Sequence, residues 1–89
     1  TGTGYNSPLL PMFFDVMASA YDSKGDPQQA IATYRRGIAV APAASQLYYN
    51  LAVTYHESLK DHDQARLALE QAATLSPLHP GVQLLLGQV

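Results

Sequence analysis

Eighty-nine residues with a formal charge of -2 make one small domain, near the low end for a self-sufficient core. At 47% hydrophobic and 13% charged, the chain is neither a disordered nor a highly charged segment. Of its five basic residues only Arg35 and Arg36 are adjacent, which argues against nucleic acid as the main partner.

The elements read in chain order as five helices. Residues 1–10, opening on Thr-Gly-Thr-Gly, are expected to be a flexible lead-in. The first helix is predicted to begin between Pro8 and Pro11 and to run to about Ser23. Its apolar residues Leu10, Phe13, Phe14, Met17, Ala18 and Tyr21 follow three-and-four spacing. The second spans about Pro27 to Val40: Asp26 can accept from the orphan amides, Pro27 presets φ at the first position, and Pro42 stops the helix. Its stripe is Ala30, Ile31, Tyr34, Ile38 and Ala41. The third starts near Ala44 or Ser45 and carries Leu47, Tyr48, Leu51, Ala52 and Tyr55. The fourth follows Asp61 and Asp63, either of which could cap it, and ends before Pro77. A fifth starts at about Pro80. Strand signals are absent, with neither sustained alternation nor a hairpin dipeptide.

The helices repeat. An offset of 34 pairs Phe14 with Tyr48, Met17 with Leu51, Ala18 with Ala52 and Tyr21 with Tyr55. After one extra residue an offset of 35 pairs Ala30 with Ala65, Tyr34 with Leu69, Gly37 with Ala72 and Pro42 with Pro77, and then Leu51 with Leu86 and Ala52 with Gly87. Large meets large and small meets small. Such a period is the mark of stacked supersecondary units. Ala18, Ala52, Ala30 and Ala65 are expected to let helices approach closely. Phe14, Met17, Leu47, Leu51, Leu69, Val82 and Leu86 are expected to carry the stacking of one hairpin on the next.

This pattern resembles the tetratricopeptide repeat. Its positions fall on Phe14, Met17, Ala18, Tyr21, Gly25, Ala30, Tyr34, Gly37 and Pro42, and again on Tyr48, Leu51, Ala52, Tyr55, Ala65, Leu69, Ala72 and Pro77. The resemblance implies an all-α fold, a right-handed α-solenoid of about two and a half units. Unit 1 would span 11–44, unit 2 would span 45–79, and 80–89 would be the first helix of a truncated third unit or a capping helix. Two departures stand out. The extra residue beside Lys60-Asp61 should lengthen the second inter-helix turn, and Gly37 puts glycine inside a helix, at a propensity cost of roughly 1 kcal/mol.

The resemblance also implies a protein-interaction scaffold whose first helices line a concave groove for a peptide or partner helix. On this chain those positions are Met12, Asp15, Val16, Ser19 and Ser23; Gln46, Tyr49, Asn50, Val53, His56 and Glu57; and Gly81, Leu84, Leu85 and Gln88. Asp15, Ser19, Tyr49, Asn50, Val53, His56 and Leu84 are the expected partner-binding set. Apart from the family, Tyr49, Val53 and Leu84 lie off the stacking stripes of their helices; together with Asn50 and His56 they read as a groove. Some members of the family clamp the C-terminal carboxylate of heat-shock chaperones with cations at defined places. Here those places hold Asp15, Ser19, Leu84 and Gln88, and an acid would repel a carboxylate, so that ligand is rejected.

Chemistry finds no foothold. In "HESLK", residues 56–60, the second histidine of a metalloprotease helix is replaced by Lys60. His62 lies about 240° from His56 on a continuing helix, so one site could not use both. Asp61, His62 and Asp63 read as a solvated turn, and Gly2-Thr3-Gly4 lacks the strand, helix and third glycine of a dinucleotide fingerprint. Zero cysteines exclude a disulfide scaffold, a zinc–thiolate site and a thiol nucleophile. No enzyme, cofactor or metal is expected, and no membrane insertion, because no apolar run reaches spanning length. The compartment stays open.

Two functions are therefore carried forward. One is an adaptor binding a protein or peptide in the groove; the other is a structural or self-assembly element, a spacer or oligomerising arm. The last helix, "VQLLLGQV", has little polar surface with which to end an array. Leu84, Gly87 and, at the margin, Leu85 are expected to stay partly exposed. The chain is expected either to be a stretch of a longer array or to self-associate through that helix.

Overall fold

The computed structural model describes residues 3–77 and 79–88, with side chains from Pro11 to Pro77 and from His79 to Gly87. Expectations placed on Thr1, Gly2 and Val89, and on the side chains of Leu10 and Gln88, lie outside what is described. The chain folds as α1 Thr3–Ser23, α2 Pro27–Val40, α3 Ser45–Thr54, α4 His62–Leu75 and α5 Pro80–Gln88, and α3 runs on into a π-helical turn, Tyr55–Leu59. There is no strand among the described residues. The helix start differs from expectation: α1 begins at Thr3, with Pro8 and Pro11 as its sixth and ninth residues, each removing one intrahelical backbone donor.

α1 pairs with α2, and α3 with α4; α2 packs on α3, and α5 lies against α4. Local chemistry explains the boundaries. Asp26 Oδ1 accepts from the Gln29 amide at 3.3 Å, and Asp61 Oδ1 accepts from the Gln64 amide at 3.2 Å. Asp61, not Asp63, is therefore the cap of α4. Ala18, Ala30, Ala52, Ala65 and Ala72 are fully buried, so the two helices of each hairpin meet along small side chains. Leu47, Leu51, Leu69 and Val82 fill the space between hairpins, each contributing roughly 1.5–3 kcal/mol of transfer free energy. Phe14 and Leu86 pack on this core half-buried. Met17 does not take the stacking role expected of it: it lines the outer flank of α1 with Ala20, Tyr21 and Lys24. Its counterpart Leu51 is 6% exposed and belongs to the core, whereas Met17 is half-buried and is not packed on that core.

The extra residue does not lengthen the second turn. In the first hairpin the Asp26 amide donates to the Tyr21 carbonyl, and in the second the Asp61 amide donates to the Tyr55 carbonyl, each at 2.9 Å. The closure is the same with one more residue between its ends. That residue is absorbed by widening the last turn of α3 into the π-helical turn Tyr55–Leu59, a usual way of accommodating a single insertion in a helix. The left-handed position follows directly, taken by Gly25 (φ 83°) in the first hairpin and by Lys60 (φ 56°) in the second.

This turn also overturns the expected separation of His56 and His62. The helix stops at Lys60, the chain reverses, and His62 opens α4. The two rings face each other with Nδ1 atoms 3.1 Å apart.

Candidate functional site

α1, α3 and α5 form one face of the molecule. The tie between α1 and α3 is polar: Asn50 Nδ2 donates to Asp15 Oδ1 at 2.5 Å, and Gln46 Nε2 donates to Asn50 Oδ1 at 3.0 Å. Further along, Ser58 Oγ donates to Asp22 Oδ1 at 2.8 Å. Between these ties the Tyr34 hydroxyl comes up from α2 to within 3.4 Å of Ser19 Oγ. Burial pushes the Tyr34 phenol above its ordinary value; hydrogen bonding to Ser19 opposes the shift, the negative charges of Asp15 and Asp22 add to it, and Thr54 opposes it again.

Two hollows lie along the face. One of about 300 Å³ is bounded by Pro11, Met12, Asp15, Gln46 and Leu47. The next, about 220 Å³, is bounded by Tyr49, Val53, Glu57, Gly81, Leu84 and Leu85, and so lies between α3 and α5. Met12, Val16 and Leu84 stand 63%, 64% and 69% exposed, the three highest values among the exposed large apolar side chains described.

The expected set thus divides. Asp15 and Asn50 are brought together but spend part of their bonding capacity on each other. Ser19 is exposed and engaged with Tyr34. Tyr49 and Val53 are half-buried and packed on the core rather than free. His56 is half-buried and turned toward His62. Leu84 is exposed as expected, while Leu85, expected at the margin, is 7% exposed and belongs to the core.

One residue of the site was missed. His79 stacks on Tyr49 with ring centroids 5.0 Å apart, and its Nδ1 accepts from the Val82 amide at 3.2 Å, capping α5. Its side chain thereby fixes the wall of the second hollow. Gly81 sits close beside it: a Cβ there would come to 3.0 Å from the Tyr49 hydroxyl and from His79 Cε1, so both rings would have to give way slightly. At the offset of 35 His79 pairs with Ala44, which begins α3 without a side-chain cap, so the repeat gave no sign of this role and only a histidine ahead of Pro80 hinted at it.

Antiparallel helix pairs stacked on a shared core, with one helix of each pair lining an open face, define a helical-repeat scaffold. A family model described as tetratricopeptide repeat matches residues 16–81, and the chain belongs to that family. Members of the family are non-catalytic repeats that generally mediate protein–protein interaction. No curated protein matches the chain. Among the described residues no helix is long and apolar enough to cross a membrane.

Proposed function

We propose that the chain is a protein-interaction module that holds a peptide or partner helix against the face of α1, α3 and α5. The observation that carries this reading is the pair of successive hollows on this face, with exposed Met12 at the rim of the first and exposed Leu84 at the rim of the second, and Val16 exposed on α1 one turn beyond Met12. Apolar side chains of a ligand would enter the hollows, while the unspent acceptor capacity of Asp15 and the Tyr49 hydroxyl would meet its backbone donors. The family's usual role supports the reading. A pull-down comparing the parent chain with Val16→Ser/Leu84→Ser tests it: both residues are mostly exposed, so the pair is expected to keep the melting temperature within a few degrees and to lose the partner. A partner retained by this variant at full strength counts against the groove.

A second reading, self-assembly, draws on α5. Leu84 is 69% exposed, and a Cβ added at Gly87 would meet nothing within 4 Å among the described residues. A second copy packed there would cover Leu84 at the rim of the second hollow together with the Gly87 side of α5. Sedimentation across a concentration series separates the two, since the adaptor reading predicts a monomer that binds its partner one to one.

A further inference from the structure

We propose that His56 and His62 form a two-nitrogen site for a divalent first-row ion of the Cu(II) or Ni(II) kind on the turn that joins α3 to α4. The geometry rests on the π-helical turn. It rotates His56 toward the chain reversal at Lys60, and His62, as the first residue of α4, meets it from the other side. Their Nδ1 atoms are 3.1 Å apart, with ring centroids 5.0 Å apart and planes inclined at 60°. An ion about 2.1 Å from each nitrogen would subtend an angle of about 95°. That is close to the right angle of cis ligands in a tetragonal or octahedral field and narrower than a tetrahedron, which favours Cu(II) or Ni(II) over Zn(II).

Between the rings one Nδ1–H donates to the other Nδ1, and for both to ligate the donating ring must carry its proton on Nε2 instead. Among the sequence neighbours of the pair, three acids (Glu57, Asp61 and Asp63) stand against two bases, Lys60 and Arg66, the latter one turn along α4 from His62. Asp61 Oδ1 is occupied with the Gln64 amide. Among the described residues no third His, Asp or Glu joins the pair as a ligand group, so water would fill the remaining positions. His62 is exposed and His56 half-buried, which leaves the site open to solvent. A bound ion would fasten the end of α3 to the start of α4 and so favour the folded chain by mass action.

Titration calorimetry with Cu(II), Ni(II) and Zn(II) in a non-chelating buffer near neutral pH tests the proposal, with melting curves read alongside. The expected result is one ion per chain, Cu(II) bound most tightly, and a melting temperature raised by Ni(II). Affinity should fall about tenfold or more in either His56→Gln or His62→Gln, and stay unchanged in His79→Gln. Circular dichroism of each variant before titration shows that the helices are intact. Binding that survives the double substitution His56→Gln/His62→Gln overturns the site. So does an absence of heat and of any melting shift with all three ions at millimolar concentration.

Discussion

Asn50 on α3 donates its side-chain amide to the Asp15 carboxylate on α1, a direct polar tie between neighbouring repeats at the first hollow. A half-buried hydrogen bond to a charged group stabilises by about 1–2 kcal/mol. Asn50→Ala is expected to lose about that much. Asn50→Asp should lose more, since two carboxylates would then face each other with no cation between them. Urea unfolding of the two variants measures the order.

Gly37 offers a second test, because helix propensity and packing disagree there. Alanine would gain roughly 1 kcal/mol of propensity. Its Cβ, however, would lie 2.7 Å from Phe14 Cβ and 3.0 Å from Leu47 Cδ1, where α2 presses against α1 and α3. Phe14 Cβ is held by its own backbone and cannot swing away. Overpacking of this kind costs about 1–3 kcal/mol, so Gly37→Ala is expected to lower the melting temperature. A rise would show that the helices separate freely at this point.

The left-handed turn residues predict opposite outcomes. Gly25→Ala meets no steric obstacle, yet φ of 83° disfavours any side chain, and about 1 kcal/mol should be lost. Lys60→Gly, at the matching position with φ of 56°, should be neutral or slightly stabilising. Paired thermal melts compare them.

Tyr34 gives the chain an alkaline limit. Its folded-state value lies above the ordinary 10.0, so between the two values the folded protein holds a proton that the unfolded chain has released. The stability from this group is fully present below pH 10 and is lost as pH rises through the folded value. Tyr34→Phe removes that slope. Urea midpoints above pH 10 should fall less steeply in the variant than in the parent.

Much of the fold was legible because each hairpin carries its own punctuation. Asp26, Pro27 and Pro42 marked α2, and the alanines at 18, 30, 52 and 65 marked the close approaches. The change of offset from 34 to 35 revealed one extra residue but not where it would go. A longer loop and a widened helical turn have the same length in sequence. Only the backbone hydrogen bonds decide between them, and the shared closure from aspartate amide to tyrosine carbonyl settles it as a π-helical turn. The meeting of His56 and His62 followed from that choice and could not be read earlier. The site was less legible than the fold for a similar reason: spacing placed Tyr49, Asn50 and Val53 on the right helix, but how far each is spent on its neighbours depends on contacts between repeats.

The most direct measurement of the groove reading is amide chemical-shift mapping, with isotope-labelled protein and a peptide selected from a random display library for binding to it. The predicted perturbations run along α1, α3 and α5, at Met12, Asp15, Val16, Tyr49, Asn50, Val53 and Leu84, and fade on α2 and α4. Perturbations centred on Arg36, Ala39, Leu67 and Gln71 instead, on the helices behind the groove, would contradict it.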